Sequence, residues 1–311
     1  MGAVLSGVEE RLAPLKAWLF PRRVLFHLED RAITGLVLAG TTVEWCEQVP
    51  LPIGLCEQGE PSRPESLGDL LGDLLVERGY AGARVEAVLP AAACQWLQVR
   101  WPDGRFPDDP QRELAQHEQA LKLRAPLSYL DLHLQPLALP QATSLAVAVS
   151  SQLLERWIEV FSLAGASLVR LEASQLCLCR ALRALPSDLL EAPALALLQL
   201  ESHGSTLLIL EQGLPAYERS LPGTAEAAGL EVALQRALQF WCQEHPGSPR
   251  PPLLCHGAAL PEPLSFGMPA QLLDPLAEGW LQLAGPAPEG QQRPPGTALL
   301  PLWGLLAGAA P

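Results

Sequence analysis

Long apolar runs are missing from this chain. Its richest stretches, 145–149 and 298–310, are short or interrupted and fall below the ~18 to 20 residues of a membrane span. Cations are scarce: 21 Lys+Arg stand against 34 Asp+Glu, a formal charge of −13. Phosphate backbones are held by clustered cations, so this balance excludes nucleic acid as a partner. The one basic pair, Arg22-Arg23, reads as a solvated loop rather than a lipid-headgroup contact. Residues 1–20 lack a basic leading region, and Glu9, Glu10 and Arg11 interrupt their apolar positions. A secretory leader is therefore not expected, and a cytoplasmic address follows.

Ordered cysteine chemistry is absent too. Seven cysteines, odd in number and scattered, suit reduced thiols better than a disulfide framework. Cys177 and Cys179 stand two apart on an expected helix and so point about 200° apart, too far to grip one ion together. Cys255-His256 has no second pair at ligand spacing, so no metal is expected. No Gly-x-Ser-x-Gly elbow occurs, and Ser150-Ser151 has no neighbouring His/Asp partner. Asp108-Asp109 precedes a helix, where capping explains it.

What remains is a chain built to fold. Hydrophobic residues make up 49% and charged ones 18% of the 311, a composition that excludes wholesale disorder. A chain this long buries roughly three quarters of its unfolded surface, enough for two lobes. The 31 prolines and 25 glycines predict frequent turns and sharply ended helices.

The pattern along the chain is ordered. Residues 4–19 carry Val4, Leu5, Val8, Leu12, Leu15, Trp18 and Leu19 near helical spacing, an amphipathic arm interrupted by Pro14 and expected to dock on the protein itself. VLFHL, AITGLVLAG and TVEWCEQV then form a meander with a turn over Glu29 to Arg31. A helix from Ser66 and the buried strand VEAVLP follow. CQWLQVRWP, a helix through DPQRELAQHEQALKLR, YLDLHLQPL and SLAVAVS make a β-α-β-β unit. Gln152 to Ala164 is a helix, LVRLE a strand and Ser174 to Leu185 a helix. After 186–193 the opening pattern returns as ALALLQL, STLLILEQG and PAYERSLP, then a helix from Leu230 to Gln243, the strand PPLLCHG and a final helix near Leu299 to Leu306. This duplication predicts a two-lobed α/β fold with the β-α-β-β unit inserted in the first lobe.

Several stretches in this order carry a family resemblance. They are Ile33-Thr-Gly-Leu-Val-Leu38, Arg100-Trp-Pro102, Leu121-Lys-Leu-Arg-Ala-Pro-Leu127, Leu154 to Leu182, Gly213-Leu-Pro-Ala-Tyr-Glu-Arg219 and Trp303 to Leu306. Together they resemble the PilM family, actin-like cytoplasmic proteins of the type IV pilus assembly platform that are related to FtsA. The resemblance implies a two-lobed actin-like (ribonuclease H-like, duplicated) fold. It divides the chain into an arm (1–22), the first lobe (23–93 and 171–192), an inserted subdomain (94–170) and a second lobe (193–311) whose last helix returns to the first.

The departures from the family are chemical. His27 and Glu29 stand where it has Asp and Gly in the first hairpin, and Gln199 and Glu201 occupy the equivalent pair in the second. The adenosine turn, usually Gly-Gly, reads His256-Gly257. Glycine lets backbone N–H groups approach phosphate, whereas glutamate adds bulk and charge. At ~4 Å and an effective dielectric near 20, each carboxylate–phosphate contact would cost about 4 kcal/mol. The acids that would hold Mg²⁺ are also gone. We read His27 as a turn histidine and Gln199 as a partly exposed strand residue, in preference to a rebuilt pocket.

The resemblance therefore implies a non-catalytic adaptor without catalytic residues, metal or cofactor. Its expected partner is the cytoplasmic N-terminal tail of a PilN-like inner-membrane protein, with contact to pilus assembly ATPases, and it would sit at the inner face of the membrane through that partner. In the family the tail lies between the first lobe and the insertion. Trp96, Val99, Trp101, Leu121, Leu123 and Trp157 are the expected groove wall, each with a competing place in the core. Two alternatives stand beside this reading: an active actin-like ATPase with a rearranged pocket, and a platform component of a type II secretion system. Against the second, those proteins are usually anchored in cis and this chain shows no span.

Overall fold

A computed structural model describes residues 22–102, 104–121, 123–137, 141–201, 204–221, 228–258, 266–285 and 293–308. The expected arm over residues 1–20 lies outside them. The chain opens with an antiparallel meander of β1 (Arg22–Leu28), β2 (Ala32–Ala39) and β3 (Thr42–Pro50). A small ribbon, β4 (Cys56–Glu57) and β5 (Glu60–Pro61), leads into helix α1 (Pro64–Glu77) and strand β6 (Arg84–Leu89). The insertion is β7 (Cys94–Arg100), α2 (Pro110–Gln116), β8 (Leu130–Leu137) and β9 (Thr143–Ser150). Helix α3 (Ser151–Leu163), strand β10 (Ser167–Ala173) and helix α4 (Ser174–Ala181) complete the first lobe's main run.

The second lobe repeats that plan with β11 (Ala194–Glu201), β12 (Gly204–Glu211), β13 (Leu214–Leu221), α5 (Ala228–Glu244), β14 (Leu253–Gly257) and β15 (Ala270–Leu272). The chain then returns to the first lobe through β16 (Gln282–Leu283), beside β3, and helix α6 (Leu300–Ala307). Strand order is β10-β6-β1-β2-β3-β16 in one sheet and β13-β12-β11-β14-β15 in the other. The two hairpins also match in register: His27 faces Thr34 across the first as Gln199 faces Thr206 across the second.

Both sheets are covered on both faces, which is why β1, β2 and β11 read as nearly continuous apolar runs. On the outer face of the first sheet, Val24, Phe26 and Leu28 pack against α1 and α3. Its inner face sets Leu25, Leu36 and Leu38 against Cys177 of α4 and Leu302 and Leu305 of α6. Leu178 and Ala181 of α4 and Leu182 just after it meet Leu195, Leu197, Leu208 and Leu254 of the second lobe, joining the two bodies through one apolar layer. Helices α4 and α6 cross so closely that a Cβ on Gly304 would overlap the Cys177 carbonyl; only glycine permits that approach.

Three sequence expectations change here. The insertion ends at Ser150, not at 170, because α3 packs on α1 and β10 pairs in parallel with β6. The helix expected through residue 124 stops at Gln116. It buries only Leu114, and the Glu118 carboxylate accepts from Leu127 N at 2.8 Å, folding the chain back. Finally, Arg22 and Arg23 belong to β1 rather than a loop, and they pair with Glu44 at 2.6 Å and Glu86 at 2.6 Å.

Candidate functional site

Strand alternation builds the first concavity. Leu25 faces the inter-lobe layer, so His27 and Glu29, two and four residues on, share that side. Leu195 and Leu197 face it from β11 and Leu254 from β14, so Gln199, Glu201 and His256 come from the opposite wall. The result is a cleft of about 970 Å³ between the hairpins, lined by Glu29, Asp30, Gln48, Glu201, Ser205 and Thr206 among others. Of the five altered positions, Glu29 and Glu201 line this cleft, Gln199 and His256 line a separate small pocket with Gln175 and Glu218, and His27 lies close enough to His256 to act on its charge. Both His27 and Gln199 are buried within strands, which corrects the reading of a turn histidine and a partly exposed glutamine.

The electrostatics of these positions follow from burial. Desolvation lowers His27 to about pKa 4. His256, lowered by burial and by His27, falls to about 3. Both imidazoles are therefore neutral, and His27 Nε2 and both ring nitrogens of His256 lack a hydrogen-bond partner. The two glutamates shift the other way. Burial, then repulsion from Glu201, holds Glu29 well above the carboxylate range, while an amide from Gln48 opposes the rise. Burial and Asp30 raise Glu201 to about 7 against a hydrogen bond from Gln199. At neutral pH the pair therefore carries less than two full charges, so its repulsion of a phosphate is smaller than two ionised carboxylates would give. Bulk remains, since each glutamate side chain occupies the mouth between the hairpins.

Gly257 ends β14 next to Ala258, which lines the cleft. Its φ of +122° and a Cβ position overlapping the Leu200 carbonyl require glycine there. Its own carbonyl accepts from Thr297 Oγ1 at 2.7 Å. Among the described residues, no group of three or more His, Cys, Asp or Glu is arranged to hold a metal ion.

The second concavity is a groove of about 420 Å³ between the insertion and the first lobe. Asp131, His133 and Gln135 of β8 and Val147 and Val149 of β9 form one wall; Leu154 of α3, Arg170 to Ala173 of β10, and Leu176 and Arg180 of α4 form the other. Strand β8 is the edge of the insertion's three-stranded sheet and β10 the edge of the six-stranded one. Two unpaired strand edges therefore border one groove. Its cations are already engaged: Arg170 bonds Glu172, Glu86 and the Leu305 carbonyl, and Arg180 bonds Glu172 and the Gly304 carbonyl. Burial also lowers Arg180 to about 10. What the groove leaves available is backbone, apolar surface and the polar side chains of Asp131, His133 and Gln135.

None of the six expected wall residues lines this groove. Val99 and Trp101 are buried in the insertion's own core with Leu121 packed against them, and Leu123 is half-buried outside the groove. Leu97 and Val99 lie on the face away from the first lobe, because strand alternation sends every second residue of β7 there. Trp157 is fully buried beneath the β4–β5 ribbon and donates Nε1–H to the Gly59 carbonyl at 2.9 Å. Trp96 does face the lobes, but it ties the insertion to β13: its indole N–H donates to Glu218, which also accepts from Gln175. The groove residues were missed because Asp131, His133 and Gln135 look like an ordinary solvated strand face. Their signal was the alternation with Leu132 and Leu134, which pack inward.

No family model and no curated protein sequence matches this chain. Solved structures do. A chain of the PilM-PilN type IV pilus biogenesis complex aligns with a TM-score of 0.70 at 18% identity, covering 93% of this chain and 99% of that one. The cytoplasmic domain of EpsL, an inner-membrane component of the Vibrio cholerae type II secretion system, aligns at 0.50 and 14% over 92% and 95%. A Bacteroides thetaiotaomicron protein with an actin-like ATPase fold aligns at 0.50 and 12% over 81% and 90%. With its duplicated sheets, crossing helices and first-lobe insertion, this chain has the actin-like fold, and over nearly its whole length it is similar to the PilM-PilN structure.

Proposed function

We propose that this protein is a non-enzymatic docking subunit of a pilus-type assembly platform, which holds the cytoplasmic tail of a PilN-like inner-membrane protein without using ATP. The observation that carries this reading is the groove between the edges of β8 and β10. An extended peptide can add to either edge through main-chain hydrogen bonds while apolar pockets select alternate side chains. Because Arg170 and Arg180 are satisfied by Glu86, Glu172 and the carbonyls of α6, neither arginine of the groove is free to hold an acidic side chain of the segment. Such a tail would bring the protein to the inner face of the membrane. The likeness to the PilM-PilN complex supports the partner class, and the glutamates between the hairpins support independence from nucleotide. The EpsL likeness favours a second reading, a platform component of a type II secretion system, which would use the same groove differently.

Calorimetric titration with a synthetic N-terminal peptide of a PilN-like protein tests this. Binding at tens of micromolar or tighter, about −6 kcal/mol or more, is expected. His133→Trp, on the exposed face of β8, fills the groove and should weaken binding by about 10-fold or more. Val99→Ala, on the opposite face, should leave the affinity unchanged. Absence of binding, or a loss in Val99→Ala matching that in His133→Trp, would remove the proposal.

A further inference from the structure

The insertion is joined to the first lobe at one end of its sheet. The chain enters through the short helical turn Ala91–Ala93 into β7 and leaves from β9 into α3, and Cys94 and Val149, beside these two crossings, face each other in register. Val147 and Val149 pack on the first lobe's outer core near that end. Further out, the tilt of the sheet is set at its edges. The β8 edge borders the peptide groove, and the β7 edge meets β13 of the second lobe.

Hydrogen bonds join β7 to β13. Gln98 donates its side-chain amide to the Pro215 carbonyl at 3.0 Å, and Trp96, on the same face of β7, donates its indole N–H to Glu218. Glu218 also accepts from Gln175 Nε2, 3.2 Å and 3.3 Å from its two oxygens, and the same amide reaches the Ala91 carbonyl at 3.2 Å. Gln175 is 2% exposed and precedes Leu176, which lines the groove from α4. One carboxylate of the second lobe thus holds the elements behind both groove walls, the insertion through Trp96 and α4 through Gln175. The seam has little slack: the pocket that Gln175 and Glu218 line with Gln199 and His256 measures about 10 Å³, space for about one water.

This position suits an acid. Two N–H donors converge on it, and an ionised carboxylate offers two acceptor oxygens and no donor, whereas a glutamine would turn its own NH₂ towards one of them. Burial pushes the Glu218 carboxyl up, and the bonds from Trp96 and Gln175, with the charge of Arg124, oppose that rise. Bonds to an ionised acceptor are the stronger kind.

We infer that Glu218 is a positioning residue for the peptide groove: it clasps the insertion and α4 to the second lobe at once, so the opening between β8 and β10 follows the placement of that lobe. The consequence for binding rests on the docking role proposed above; the clasp itself does not. Neither Trp96 nor Glu218 lines the groove, so their effect on a bound segment passes through the position of the insertion.

Residual dipolar couplings of the full chain report the orientation of the insertion without any ligand. In the wild type, β7 to β9 and the two lobes should fit a single alignment. Trp96→Phe keeps an aromatic ring and removes the donor, and Glu218→Ala removes both acceptors. In each, the lobes should still fit together, held by their apolar layer, while the insertion takes an orientation of its own. The same variants should bind the synthetic N-terminal peptide of a PilN-like protein about 10-fold more weakly. Combining them should weaken binding no further than Glu218→Ala alone, because the pair acts as one unit. Arg219→Gln, exposed on the same strand, should match the wild type in both measurements. Thermal unfolding of each variant reports whether it is folded, and Trp96→Phe carries the test if Glu218→Ala is not. An insertion that keeps its wild-type orientation in the folded variants would overturn the inference. A wild type that does not bind the peptide would remove the docking role instead, and the couplings would still decide for or against the clasp.

Discussion

Trp157→Ala should destabilise the protein by about 3–5 kcal/mol, the range for truncating a large buried aromatic, and lower the melting temperature by on the order of 10 °C. Trp157 is the largest fully buried side chain in the outer core of the first lobe, and its ring lies 6.2 Å from that of Phe161, which is 6.0 Å from Phe26. The substitution would leave a cavity between β1, α1 and α3. It also strips the Gly59 carbonyl of its donor, loosening the ribbon that holds Asp30. Thermal or denaturant unfolding measures the effect. A groove-wall residue would behave the other way, with little change in stability and weakened peptide binding, so one variant separates the two roles of this tryptophan.

The second large effect concerns pH. Glu29 and Glu201 have raised folded-state pKa values, so the stability they contribute is present at low pH and lost as pH climbs from the usual carboxylate range through about 7. His27 and His256 have lowered values, so theirs is present above the usual histidine range and lost as pH falls towards about 4 and 3. Each group changes stability by at most about 1.4 kcal/mol per pH unit. Between about pH 4.5 and 6.5 the two pairs oppose each other, and a plateau is expected. Above it stability should fall as pH rises through about 7, and below it the histidines should dominate. Glu201→Gln should flatten the alkaline decline and make the protein more stable at about pH 8 than the wild type. Chemical denaturation across this range checks the shape; an unchanged alkaline limb in the variant would contradict the assignment.

Much of the architecture was legible because the buried strands announce themselves. ALALLQL and STLLILEQG repeat the opening hairpin, and the two hairpins match in register. Other features depend on contacts that no local pattern encodes. The end of the insertion is set by the pairing of β10 with β6, strands separated in sequence by the whole insertion and α3. The fate of Trp157 turns on which side of α3 meets the sheet, and amphipathic spacing cannot distinguish a core from a groove. The sequence suggests a turn residue at His27 and a partly exposed one at Gln199; both are buried, by packing against segments that lie far off along the chain. Alternation in YLDLHLQPL already separated Leu132 and Leu134 from Asp131, His133 and Gln135; only the fold shows that the polar set borders a groove.

The central claim is that glutamates and histidines now occupy the space an actin-like protein would give to phosphate. Calorimetry of the purified protein, freed of any bound nucleotide and titrated with Mg-ATP at neutral pH, tests it most directly. The account predicts no measurable binding up to about 1 mM ATP, a free energy weaker than about −4 kcal/mol. Magnesium-dependent binding at micromolar concentration would contradict it.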